Sequence, residues 1–261
     1  MVRSEGSSSS VRADANTYLM RIWGQAIGSL GGNPNSGRKR SERRRPCVPK
    51  CPDLPGSGDT QPTPGFTLSS GRAATYACAM TDVHARYRLV SSGFDAAVKA
   101  VTPDKWEAQS PCEQWTARDV VAHVVENHRG VIAAVRGGES EPLGADEDPR
   151  QAWDLVSRAL DEITGDPEAA AKEMDGPTGR MPVGQIIGQF VTMDVLVHTW
   201  DLARTVGADE HLDEDAVGRA YEALKPVDAM IRQPNVFGPK LEPPRGADLQ
   251  TEFLYFLGRR A

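Results

Sequence analysis

Residues 182–207, PVGQIIGQFVTMDVLVHTWDLARTVG, constrain the fold more than any other stretch of the chain. Pro182 suits a first helical turn, where its missing N–H is not needed, and Gly207 suits the stop. The pattern between them predicts one long helix. Ile187, Phe190, Asp194, His198 and Asp201 recur at spacings of three and four, which places them on one face. That face begins apolar and then carries two carboxylates and an imidazole. A carboxylate on a core-facing stripe is costly unless it is paired or metal-bound. Asp194 and His198 lie one turn apart, so both can point at one ion. The same spacing also describes an ordinary pair on a helix surface. The apolar FVTM before Asp194 and VLV after it argue for the interior.

Charge divides the chain. Residues 1–79 hold 11 Lys and Arg against 5 Asp and Glu, and the remaining residues hold 19 against 31, within an overall net charge of −6. The first segment is rich in Ser, Gly, Pro and Arg and has little periodicity. It lacks the apolar surface needed to offset ordering entropy, so residues 1–79 are expected to be a disordered basic tail. Residues 17–30 could form a transient helix, and the run RKRSERRRP at 38–46 reads as a solvated charge run or a weak attractor of anions. Cys47 and Cys51 have no second Cys/His pair nearby and make a poor zinc site. Regular patterning starts only after Met80, and a natural start at that residue is a further expectation. The acidic body, residues 80–261, argues against a nucleic-acid partner for the folded domain. No run of eighteen apolar residues is present, so no membrane span is expected. Four cysteines do not make a disulfide scaffold at this length, which points to the reducing cytoplasm.

Helical periodicity dominates the body. A first helix is predicted over 82–101, with Tyr87, Val90, Phe94 and Val98 near one stripe. A second opens at Thr116, where Asp119 completes a capping-box variant, and ends near Gly137. Its buried side is read as Val120, Val121, Val124, Val125 and Ile132. His123 borders that side, while His128 falls on the opposite, solvent-facing one. A third helix follows an acidic loop at 139–149, with Trp153, Val156, Leu160 and Ile163 inward. After Gly207 come a helix broken at Pro226, a Pro/Gly-rich connection and a short closing amphipathic helix. No internal repeat, Gly-rich phosphate loop or nucleophile elbow occurs, and strand signals are nearly absent. The fold class is therefore all-α, a four-helix bundle with additional C-terminal helices, where metal sites are built from facing side chains.

SPCEQWTARDVVAHVV at 110–125, DVLVHTWDLARTVG at 194–207 and FLYFLGR at 253–259 resemble the DinB-like helical bundles of actinobacteria. Within these, the chain is similar to the N-terminal metal-binding domain family of mycothiol-dependent maleylpyruvate isomerase. The resemblance implies a divalent ion, zinc first, held by His123, Asp194 and His198. Asp201 lies one turn beyond His198, either orienting a ligand imidazole or serving as a cap or a salt bridge near the helix end. The isomerase carries Glu where this chain has Asp194, and it has a second, C-terminal domain for which no room is expected here after the fifth helix. Two functions follow. In the first, the chain is an isomerase or transferase that uses mycothiol or another low-molecular-weight thiol on an electrophilic small molecule. In the alternative it is a non-catalytic metal- or ligand-binding module. A purely structural bundle, with Asp194 and His198 as a buried pair, is the third reading. Cys112, in the loop before the second helix, is either a reactive thiol or a small packed side chain.

Overall fold

The computed structural model describes residues 70–176, 179–232 and 237–261. The Cys47–Cys51 pair, the 17–30 stretch, the basic run at 38–46 and the rest of the chain before residue 70 lie outside the described residues. Four long helical segments carry the core. They are α1 (Ser70–Ala100), α2 (Ala117–Arg136), α3 (Pro149–Gly165) and a segment at 183–206. Helix α1 begins ten residues before the boundary at 80 read from the sequence. The fourth segment consists of α5 (Val183–Ile186), a π-helical turn (Ile187–Val191) and α6 (Thr192–Val206), after the short α4 (Pro167–Ala171). Helix α1 packs on α3 and α6, and α2 packs on the same two helices. Thus α1 and α2 face each other diagonally across the bundle, as do α3 and α6.

The local signals explain the boundaries. Thr116 caps α2 with the reciprocal Asp119 bond expected of a capping box. Asp148 caps α3 ahead of Pro149. Gly207 ends α6 with a left-handed φ of 75°. Tyr87, Val90, Phe94 and Val98 of α1 are buried, as are Trp153, Val156, Leu160 and Ile163 of α3. Phe94 meets Trp153 edge-on, with ring centroids 4.7 Å apart. Beyond the bundle lie α7 (Glu214–Leu224), a 3-10 turn containing Pro226, α8 (Asp228–Ile231) and α9 (Leu249–Phe256). The all-α bundle is the expected architecture. Its one β-sheet among the described residues is a hairpin of β1 (Glu173–Gly176) and β2 (Gly179–Pro182), paired antiparallel. Pro182 therefore ends a strand before α5 rather than occupying a first helical turn.

Two residues depart from the sequence expectation. His128 is fully buried, not solvent-facing. Helix α2 has neighbours on two sides, α3 and α6, so it buries two faces where a single apolar stripe predicts one. His128 Nδ1 donates to the Val124 carbonyl at 2.7 Å, which leaves Nε2 to accept from the Tyr87 hydroxyl at 3.2 Å. Phe190 leaves the Asp194 stripe. It lines a groove of about 610 Å³ together with Met193, Leu196 and Ala220. Phe190 lies within the π turn Ile187–Val191, where regular α-helical spacing does not hold. Thr192 holds that turn by donating its hydroxyl to the Ile187 carbonyl at 2.8 Å.

The turn also brings the backbone of the fourth segment close to α1. A Cβ added at Gly188 would lie 2.9 Å and 3.2 Å from the Val83 methyl groups. Val83 is β-branched and stiff, so the contact is relieved only by moving a helix. Gly188→Ala is expected to cost about 1–3 kcal/mol despite Ala's better helix propensity. Adding Val83→Ala should recover part of that loss in urea unfolding.

Burial lowers the His128 pKa from 6.5 to about 4, outweighing the Val124 carbonyl and Asp194, which favour the charged ring. The unfolded chain therefore binds more protons between those values. The stability this difference contributes is present above pH 6.5 and is lost as pH falls towards 4. The span corresponds to about 3 kcal/mol. Urea midpoints measured from pH 7 to pH 4 should show that slope, and His128→Gln should flatten it.

Candidate metal centre

Helix α2 carries His123 and Asn127 one turn apart, and α6 carries Asp194 and His198 at the same spacing. The two helices pack directly, so these four side chains meet. Asp194 Oδ1 lies 3.3 Å from His123 Nε2 and 3.4 Å from His198 Nε2. The three side chains are 17%, 10% and 9% exposed, so the cluster is shielded but reachable. Asn127 donates from Nδ2 to Asp194 Oδ2 at 2.9 Å, and the same nitrogen lies 3.1 Å from His123 Nε2. The structure thus brings together all three residues read from the sequence as ligands.

A loop covers the cluster. Its tight turn runs from Cys112 to Trp115, with the Trp115 N–H donating to the Cys112 carbonyl at 3.1 Å. Gln114 accepts a left-handed φ of 67° to make it. The Gln109 amide ties the turn down by donating to the carbonyls of Ser110, Cys112 and Trp115. Trp115 consequently stands against both imidazoles, 4.8 Å from the His123 ring and 5.7 Å from that of His198.

Behind His198 lies a second polar layer. Asp201, fully buried, accepts from His198 Nδ1 at 2.9 Å. This bond fixes the tautomer in which Nε2 faces Asp194. Asp201 is also gripped by Arg259, with Nε on Oδ1 and Nη2 on Oδ2, both at 2.7 Å. Arg259 reaches this position through the end of α9. Gly258 turns left-handed at φ 81°, its N–H bonds the Tyr255 carbonyl, and the Arg259 N–H bonds the Leu254 carbonyl. That is the Schellman arrangement. The Pro239 carbonyl oxygen would sit 2.8 Å from a Cβ at Gly258, so glycine is required there twice over. Cys112 Sγ completes the layer, donating to Asp201 Oδ2 at 3.3 Å. The thiol is a partner of the buried carboxylate rather than a merely packed side chain.

The electrostatics follow. Burial opposes the Asp194 charge, but the imidazoles of His123 and His198 outweigh it and hold the carboxyl well below the usual range. Burial likewise opposes a charged His198, and Asp194 with Asp201 overcomes it, raising that pKa well above the ordinary imidazole value. Asp201 is lowered in the same way, burial being overridden by Arg259.

Two donor groups share His198, namely His123–Asp194–His198 and Cys112–His198–Asp201. Only the first suits a cation. Both oxygens of Asp201 already accept from Arg259, whose fixed positive charge would repel an ion beside them. In the first group, separations of 3.3 Å and 3.4 Å match the edge of about 3.3–3.4 Å in a tetrahedron whose bonds are about 2.0–2.1 Å long. Two imidazoles and a carboxylate suit zinc and other first-row divalent ions. Asn127 adds an amide oxygen, buried and without a hydrogen-bond partner, at the rim of the same cluster.

Sequence reasoning singled out Asp201 and Cys112 but missed Asn127, Trp115 and Arg259. Asn127 had a readable signal, its four-residue spacing from His123. Arg259 had only an indirect one, the need of a buried Asp201 for a counter-charge.

Residues 87–203 match the family model described as the mycothiol maleylpyruvate isomerase N-terminal domain. Two uncharacterized proteins of Mycobacterium tuberculosis, from strains CDC 1551 / Oshkosh and ATCC 25618 / H37Rv, are each 29% identical over 175 residues. The matched region is 66% of this chain and 95% of each relative. Among solved structures, a mutant of the mycothiol-dependent maleylpyruvate isomerase matches with a TM-score of 0.44 at 19% identity, covering 59% of this chain and 70% of that one.

Arg259→Ala would leave Asp201 buried without its counter-charge, and a loss of about 3–5 kcal/mol is expected in chemical unfolding. Asp201→Asn in the same background should restore part of it. Arg259→Lys should fall between, because an ammonium cannot make the paired contact.

Proposed function

We propose that the chain, whose residues 87–203 match the model of the mycothiol maleylpyruvate isomerase N-terminal domain, binds one divalent metal ion at His123, Asp194 and His198 and uses it in low-molecular-weight thiol chemistry. The observation that carries this reading is the convergence of three donor atoms from two helices within 4.8 Å of one another, with Asp194 Oδ1 at 3.3 Å and 3.4 Å from the two imidazole nitrogens, in a shielded cluster. Zinc is the first choice of ion. When bound, such an ion would supply Lewis acidity and lower the pKa of a thiol held beside it.

The protein's own groups have separate tasks. His123, Asp194 and His198 hold the ion. Asp201 accepts the His198 Nδ1–H hydrogen bond and keeps Nε2 directed at the site. Arg259 keeps Asp201 ionised and still. Trp115 walls the cluster and limits water. The substrate class is an electrophilic small molecule to which a thiol such as mycothiol adds, with isomerisation or transfer as the outcome. The reading places the chain in the cytoplasm. No helix among the described residues is long and apolar enough to cross a membrane.

Elemental analysis of the full chain, as purified and after zinc reconstitution, tests the first half. About one ion per chain is expected, with at least a 100-fold loss of affinity in His123→Ala and His198→Ala. Failure to bind any divalent ion after reconstitution would overturn the site. Thiol consumption against a panel of electrophiles tests the second half. An ion retained without turnover across the panel would replace the enzyme by the non-catalytic binding module.

A further inference from the structure

We propose that Asn127 is a fourth metal ligand, a carboxamide oxygen donor that completes a two-plus-two site between α2 and α6. This deepens the metal-site reading and rests on it. His123 and Asn127 on α2 repeat the four-residue spacing of Asp194 and His198 on α6, so each helix offers two groups from adjacent turns. Asn127 is only 5% exposed. Its Nδ2 lies 2.9 Å from Asp194 Oδ2 and 3.1 Å from His123 Nε2, within hydrogen-bonding reach of two of the candidate ligands. Its Oδ1 is buried with no hydrogen-bond partner.

An amide's two ends have nearly the same shape, and a half-turn about the terminal torsion exchanges them. Without an ion, the NH₂ end belongs inward, because it donates to a carboxylate. With a cation in the cluster that preference reverses. The positive charge repels the NH₂ dipole and attracts the carbonyl oxygen, which the half-turn delivers to the same place. The side chain therefore has two jobs. As a donor it spaces His123 and Asp194 in the metal-free protein, and as an oxygen ligand it joins them when the ion arrives.

The consequence is metal preference. An additional neutral oxygen makes the donor set two nitrogens and two oxygens, which favours ions that accept five or six ligands over strict tetrahedral zinc. One or two positions then remain for a thiol or water.

Cobalt(II) is the probe, read by its stoichiometry, its affinity in chelator competition and its visible d–d absorption, none of which depends on turnover. The full chain should bind one cobalt. Asn127→Ala should still bind one, about 10–100-fold more weakly, with its d–d bands shifted. Asn127→Asp should keep bands close to those of the unmodified chain, and cobalt should raise its Tm more, since the ion relieves the repulsion from Asp194. Weaker binding in Asn127→Ala with unchanged bands would overturn the proposal, because Asn127 would then only orient Asp194. Unchanged affinity and bands would also overturn it while leaving the three-ligand site intact. A full chain that binds no cobalt would overturn both.

Discussion

The ion pair between Asp201 and Arg259 underlies the arrangement of the whole site. Asp201 has no exposure, and its charge survives only because a guanidinium meets both oxygens at 2.7 Å. An ionised Asp201 then accepts a hydrogen bond from His198 Nδ1–H, which fixes the ring and presents Nε2 to Asp194. A neutral or displaced Asp201 would let the imidazole change tautomer or rotate. The chain of dependence runs from a charge on the last described segment, through a buried carboxylate, to one of the candidate ligands.

Packing supplies what electrostatics alone cannot. The diagonal arrangement sets α2 directly against α6, so two pairs of side chains spaced by four residues face each other. The π turn at Ile187–Val191 makes that possible by resetting the helix phase just before Asp194. Its effect is to separate two surfaces of one helical segment. Phe190, Met193 and Leu196 face the groove beside α1 and α7, while Asp194 and His198 face α2. The close approach at Gly188 is what this reset demands of the neighbouring helix.

Much of the fold was readable because helical periodicity and capping are local. The Thr116 box, the stop at Gly207, the break at Pro226 and the inward residues of α3 all follow from neighbours within a few positions. His123, Asp194 and His198 were also readable as a group, since polar residues on apolar stripes need partners. What stayed hidden depends on the third dimension. His128 was misplaced because a stripe reveals one buried face, and α2 has two. Phe190 was misplaced because four-residue spacing loses its meaning across a π turn. Pro182 was assigned to a helix because four-residue strands carry almost no periodic signal. Arg259 is 58 positions from Asp201, and no local pattern joins them.

That separation gives the site a sequence of assembly in time. Synthesis delivers His123, Asp194 and His198 well before the residue that stabilises Asp201 exists. Until Arg259 emerges, a nascent bundle would have to leave Asp201 in water or protonate it, so the layer behind His198 cannot yet close. The turn at Gly258 then fastens the layer behind His198. The candidate ligands precede Arg259 in sequence, but the orientation of His198 is conferred only when the turn at Gly258 and Arg259 docks.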